Sequence, residues 1–202
     1  MHTLYHSPYS QHARRVVALM EAAGLDHEIR PVDMENREFL SPSYLAVNPN
    51  HQVPTLVDSD IKIFESNAIL RYLCLKHGLK DWYPEDLKAR AAVEQWLDWN
   101  QCRLSPAVVD IVLNTVFMGE HGDQGAIERG REALKELSAI LDDALDGQDY
   151  LTGDSPTIAD LSLASNITQL AFADAVPQQP NIQAWYRRVC GIEGYRKSLP
   201  QA

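Results

Sequence analysis

Cysteine is nearly missing from this chain of 202 residues: three occur, Cys74, Cys102 and Cys190, with no Cys-x-x-Cys pair among them. That excludes a disulfide framework and suits reduced thiols in a reducing compartment. Positive charge is scarce as well. Eighteen Lys and Arg face 28 Asp and Glu, for a net charge of −10, and the basic clusters stop at the pairs Arg14-Arg15 and Arg187-Arg188, which gives a nucleic-acid surface no support. No apolar run reaches the roughly 18 residues of a membrane span. Met1-His2-Thr3 leads straight into strand pattern without a charged segment and an apolar signal core, so the expected location is cytoplasmic. The seven histidines carry none of the Cys/His spacing of a zinc site, and no metal is expected. What the chain does have is a 45% hydrophobic composition, ample for one large or two small packed domains.

The most informative stretch is His6-Ser7-Pro8-Tyr9-Ser10-Gln11-His12-Ala13-Arg14-Arg15. Thr3-Leu4-Tyr5 is a short strand, Pro8 bars an early helix, and Ser10 is placed to accept from the free amides of a first turn. Ala13, Val16, Val17, Met20 and Ala23 then follow helical spacing up to Gly24, so one face of this helix is buried. The turn compares with Cys-Pro-Tyr-Cys redox motifs, with oxygen in place of both sulfurs at Ser7 and Ser10. Such a turn makes no disulfide, yet its hydroxyls and the positive helix end suit a thiolate that a ligand brings in. Taken alone, Ser10 is first of all a helix cap.

The pattern continues with an extended run at His27–Asp33, its Pro31 marking a strand edge, and a short helix after Ser41-Pro42. A hairpin follows, from Val53–Val57 to Ile61–Phe64, and then a helix from Glu65-Ser66 to Gly78. Residues 79–84 read as a linker. From 85 the strand signals stop, and amphipathic runs at Glu85–Phe117, Gln124–Leu145, Thr157–Phe172 and Asn181–Arg188, with a short tail helix, predict an all-helical second domain over 85–202. The expected class is therefore an α/β domain over 1–78 followed by an all-α domain. Thr157-Ile158-Ala159-Asp160 has capping-box spacing, a folding device to which no catalysis is assigned.

Four motifs in order, Ser10-Gln11-x-x-Arg14, Asn48-Pro49-x-His51-x-Val53-Pro54, Glu65-Ser66-x-Ala68-Ile69 and Thr157-x-Ala159-Asp160, resemble the glutathione transferase family over nearly the whole chain. Trp82-Tyr83-Pro84 ahead of Ala89-Arg90-Ala91 and Trp99 is similar to the theta class, and Asn-Pro-x-His to the delta class. The resemblance implies a thioredoxin-like first domain, a helical second one, glutathione as co-substrate, a small hydrophobic electrophile as its partner and a homodimer. It implies a cis bond before Pro54, which leaves the Val53 main chain to pair with the cysteinyl backbone of the tripeptide. Glutathione carries two carboxylates and one ammonium. Ser66 at a helix N-terminus suits the γ-glutamyl carboxylate, Glu65 the ammonium, and His51 with Gln52 the glycine carboxylate.

In theta and delta members a serine at the Ser10 position donates to the glutathione sulfur. Ser7 is the alternate, because in the tau class a Ser-Pro-Phe serine does this work; Gln11 and Arg14 favour Ser10. For the electrophile side the expectations are Tyr9, between the two serines, and Arg103 and Ala107 on the first long helix, with Ile111 and Phe117 as further apolar wall. Tyr5 is expected to pack. Transfer of the glutathione thiolate to electrophiles is the leading reading, with peroxidase or dehalogenase side activity. The alternatives are a zeta-type isomerase, which Gln52-Val53-Pro54-Thr55-Leu56 also resembles, and a non-catalytic binding or regulatory protein on the same fold.

Overall fold

The computed structural model describes residues 1–200, which divide into two compact units: residues 1–80 with 192–200, and residues 81–191. The first unit runs β1 (His2–His6), α1 (Gln11–Ala22), β2 (His27–Pro31), α2 (Pro42–Leu45), β3 (Thr55–Asp58), β4 (Ile61–Phe64) and α3 (Ser66–His77). Its sheet has the order β2-β1-β3-β4, with β2 parallel to β1 and the other pairs antiparallel. Pro31 closes edge strand β2, where its missing N–H leaves no ladder bond unmade. Leu4 and Leu56 face each other across β1 and β3, fully buried with Val16, Leu19, Met20, Ile69, Leu70 and Leu73 of α1 and α3. Burying an aliphatic side chain of this kind contributes about 1.5–3 kcal/mol. Gly78 ends α3 in the left-handed region at φ 63°, where a Cβ is strained. At the sheet edge opposite the turn after β1, Asp58 accepts from the Tyr72 hydroxyl at 2.6 Å and from the Lys76 ammonium, and these bonds hold its carboxyl below the usual range.

One boundary differs from expectation. The tail helix α9 (Glu193–Lys197) belongs to the first unit and not to the helical one. It rests on α1 so closely that a Cβ on Gly194 would stand 2.2 Å from the Ala22 nitrogen. The fit explains a second departure. Residues Ala13 to Met20 of α1 are buried all round instead of on one face, Arg14 and Arg15 included.

The second unit comprises α4 (Leu87–Trp99), α5 (Ser105–Val112), α6 (Gln124–Ala144), α7 (Ile158–Ala171) and α8 (Pro180–Gly191). Residues 87–117 are helical throughout, as the pattern predicts, but two turns, 100–104 and 113–117, are widened to π geometry. Pro106 accounts for the first, because it offers no N–H to the carbonyl four residues back and its ring pushes on that turn. Helix α7 is buried from Ile158 to Leu170 and starts with the expected capping box. The Asp160 carboxylate accepts from the amides of Leu151 (3.0 Å) and Thr157 (2.8 Å), the Thr157 hydroxyl (3.1 Å) and the Trp185 indole (2.8 Å). Burial pushes its carboxyl above the usual range while these four donors pull it down. Asp160 thus ties the loop before α7 and the indole of α8 to one point.

Replacing this acceptor strands four buried donors. Asp160→Ala is expected to destabilise the protein by about 3–4 kcal/mol, read from the midpoint of urea denaturation at unchanged slope. Gly194→Ala is expected to cost about 1–3 kcal/mol by driving α9 off α1, read in the same experiment.

Candidate functional site

Strand register gathers the predicted residues of the first unit at one edge. Tyr5 lies opposite Thr55, and Thr55 opposite Phe64. The exit of β1, the entry of β3 and the exit of β4 therefore coincide, on strands about 4.8 Å apart. Ser7 lies two residues beyond Tyr5, Pro54 immediately before Thr55, and Glu65-Ser66 immediately after Phe64. Both α1 and α3, each of 12 residues, consequently begin at this edge and turn their positive dipole ends to it.

Each residue there has a definable state. Ser10 is the N-cap of α1, with its Oγ accepting from the Ala13 N–H at 3.2 Å. Capping uses a lone pair and leaves the hydroxyl proton available to a second acceptor. Ser7 is 7% exposed, and its hydroxyl has no hydrogen-bond partner among the described residues; its carbonyl accepts from the Ser10 N–H at 3.0 Å. Tyr9 is 55% exposed. The Val53–Pro54 bond is cis. His51 and Gln52 are exposed, and His51 has φ 49° in a turn closed by its N–H on the Asn48 carbonyl at 3.1 Å. Glu65 is exposed at φ 66° and ψ 107°, a region a non-glycine residue enters at a cost of about 1–3 kcal/mol and one that clusters at functional sites. Its side chain makes no cap bond to the first turn of α3, whose positive end lies beside buried Ser66. Tyr5 packs as expected, edge-on to Tyr44 and under the Arg30 guanidinium, which also donates to its hydroxyl at 3.0 Å.

Three basic side chains around α1 are shifted by burial. His6, at the end of β1, is lowered to about 4 by burial and then by Arg14. His12 falls to about 3 by burial and then by Arg15. Arg15 itself is brought down to about 9, chiefly by burial. It donates to Asn67 Oδ1 at 3.4 Å, a link between the first turns of α1 and α3.

In the helical unit, Arg103 lines a cavity of about 400 Å³ with Trp99, Cys102, Ala133, Glu136, Leu137 and Ile140. Ala107 is not beside it. At 4% exposure Ala107 packs into the core, its carbonyl 2.8 Å from where a Gly130 Cβ would stand, and Ile111 is fully buried, so neither offers a wall to a ligand. Phe117, expected as apolar wall, is 52% exposed, and Val109, Leu113 and Val116, which no sequence motif singles out, are exposed as well. Among the described residues no group of three or more His, Cys, Asp or Glu is placed to hold a metal ion.

The Glutathione S-transferase, N-terminal domain, matches residues 2–74, and the Glutathione S-transferase, C-terminal domain, residues 124–188. A probable glutathione S-transferase GSTF2 of Oryza sativa subsp. japonica is 33% identical over 190 residues, covering 91% of this chain and 88% of the relative. The chain belongs to the glutathione S-transferase family. Glutathione S-transferase D7 of Drosophila melanogaster is 29% identical, over 97% of this chain and 88% of that one. A glutathione transferase family member from Pseudomonas fluorescens, crystallised with two glutathione bound, superposes with a TM-score of 0.91 at 25% identity, over 98% of this chain and 92% of that one.

For this transferase-family chain, the shifted histidines set an acid limit. In the unfolded chain both rings take up protons near pH 6.5, while in the fold they stay neutral to about 4 and 3. Stability is then full above pH 6.5 and falls as the pH drops below it, by at most about 2 kcal/mol per ring between pH 7 and 5. Urea denaturation at the two pH values checks this, and His12→Asn is expected to flatten the decline.

Proposed function

We propose that the protein transfers the thiolate of glutathione to small hydrophobic electrophiles. The observation that carries this reading is the meeting, at one sheet edge, of two helix N-termini, the Ser7 and Ser10 hydroxyls, the cis Val53–Pro54 bond and Glu65-Ser66. Each end of the tripeptide finds a chemical complement in this set. The γ-glutamyl carboxylate meets the uncapped amides and hydroxyl at Ser66, its ammonium meets Glu65, the cysteinyl backbone pairs with Val53, and the glycine carboxylate falls to His51 and Gln52.

Ser10 donates its proton to the sulfur while its lone pair caps α1. A thiol has a pKa of about 8.5, and lowering it by about two units, for about 3 kcal/mol, makes the thiolate abundant at neutral pH. One hydroxyl and one helix end supply interactions of that size. The thiol proton passes to water. The ionised sulfur then attacks the electrophilic carbon as the leaving group departs with its electron pair, or adds to an activated double bond whose resulting carbanion takes a proton from water. Tyr9, next to Ser10 in the chain and 55% exposed, is the residue assigned to the electrophile beside the sulfur. Within the family, Ser10-Gln11-x-x-Arg14 and Asn48-Pro49-x-His51 favour a theta- or delta-like class, acting as a cytoplasmic homodimer.

Ser7 is the second reading, favoured by its hydroxyl, which has no partner among the described residues on a side chain otherwise almost covered. Calorimetric titration with glutathione, followed by ultraviolet difference spectra for the bound thiolate, separates the two. Ser10→Ala is expected to raise the bound thiol pKa by about 1–2 units and to slow conjugation at neutral pH by about 10- to 100-fold, with Ser7→Ala near the unsubstituted protein. Loss of thiolate in Ser7→Ala alone transfers the role to Ser7. Absence of any glutathione uptake overturns the transferase reading.

A further inference from the structure

Beneath the loop of exposed His51 and Gln52 and half-buried Val53 lies a buried polar cluster that no step of the proposed chemistry uses. Tyr44, Asn48 and Thr55 are 2%, 1% and 0% exposed. The Tyr44 hydroxyl donates to the Gln52 carbonyl at 2.6 Å, and Asn48 Nδ2 donates to the same oxygen at 2.9 Å. The second Nδ2 proton of Asn48 goes to Thr55 Oγ1 at 3.0 Å, while its Oδ1 accepts from the amide and the side chain of Asn50 at 2.9 and 3.1 Å. Burial raises the Tyr44 phenol above its ordinary range, which keeps it a donor.

Both lone pairs of the Gln52 carbonyl are thereby engaged from inside the fold, and this fixes the plane of the Gln52–Val53 peptide. That peptide is trans, so its N–H points opposite to its C=O. A carbonyl drawn inward by two donors turns the Val53 N–H outward. Neither the N–H nor the C=O of Val53 has a hydrogen bond within the protein among the described residues. Pro54 offers no N–H of its own. The loop side chains contribute nothing to this aim, since His51 and Gln52 project into solvent.

From this geometry we infer that Tyr44, with Asn48, is a positioning residue for glutathione. By clamping the Gln52 carbonyl it orients the Val53 main chain toward the cysteinyl segment of the tripeptide without touching the ligand. The inference rests on the reading of Val53 as a glutathione contact. Thr55 fixes the Asn48 amide in turn, and its place in the β3 ladder opposite Tyr5 and Phe64 carries the rigidity of the sheet to the loop. Pairing of this kind acts on ground state and transition state alike, so it governs affinity and not turnover.

Steady-state kinetics with glutathione and an activated aryl halide, and calorimetry with S-methylglutathione, test the assignment. Tyr44→Phe deletes one oxygen; it is expected to raise KM for glutathione and Kd for S-methylglutathione in parallel, by about 5- to 20-fold, with kcat within about twofold and the thiol pKa unchanged. Tyr72→Phe, which loses a comparable bond to Asp58 at the opposite sheet edge, is the control and is expected to keep both constants. If Tyr44→Phe does not fold, Asn48→Ala removes the other donor on the same carbonyl and is read the same way. The inference falls if affinity for both ligands stays within about twofold of the unsubstituted protein, if kcat falls at unchanged KM, or if Tyr72→Phe weakens binding equally. An unsubstituted protein that takes up neither ligand defeats the transferase reading itself; one that takes up both, with an indifferent Tyr44→Phe, defeats this inference alone.

Discussion

The antiparallel pairing of β1 with β3, and of β3 with β4, is the constraint on which the rest depends. Tyr5 opposite Thr55 and Thr55 opposite Phe64 make a turn, a cis proline and a helix start share one sheet edge, although they are separated by tens of residues in the chain. A slip of one residue would carry Leu4 or Leu56 out of the core, so the hydrophobic burial that stabilises the sheet also fixes the site. Two helices must then begin where those strands end. Their aligned dipoles place two positive helix ends together in a chain whose net charge is −10. The proposed glutathione site therefore draws on backbone geometry more than on Lys or Arg.

Much of this was legible in the residues because local chemistry and fold agree there. Pro8 and Ser10 announce the start of α1, Gly78 the end of α3, and Thr157 with Asp160 the cap of α7; each signal acts within a few residues of itself. The order of the motifs did the rest, and the family match over residues 2–74 and 124–188 agrees with it. The failures share a cause. Ala107 and Ile111, expected from the sequence as ligand wall, lie in the core, while Val109, Leu113 and Val116 are exposed. A helix apolar on nearly all sides does not reveal which face its neighbours will cover. Arg14 and Arg15 give no sequence sign of burial, since it depends on packing from distant segments. Tyr44, Asn48 and Thr55 are likewise spread over three elements, and only the fold shows that they meet on one carbonyl.

The helical unit shows how a buried carboxylate organises structure without chemistry. Asp160 is desolvated, and its carboxyl is raised by burial, features often seen in acid-base catalysts. All four of its bonds, however, go to protein donors that hold the loop before α7 and the indole of Trp185, and no acceptor capacity is directed to a ligand. In the same unit, buried Asn100 joins the chains of Ser162 and Asn166 at 2.9 and 2.7 Å, a polar contact that fixes the register of neighbouring helices. The widened turns on either side of α5 give its outward face a direction that a regular helix would not.

Helix α9 gives the molecule a property in time. Its seat on α1, made possible by the absence of a side chain at Gly194, means that the first unit is built from two segments separated in the chain by the whole helical unit, residues 81–191. During synthesis residues 1–80 emerge before 192–200, with the whole of 81–191 between them. The thioredoxin-like part, begun before the helical unit, is therefore finished after it, and the buried arginines of α1 stay uncovered on that flank until α9 arrives.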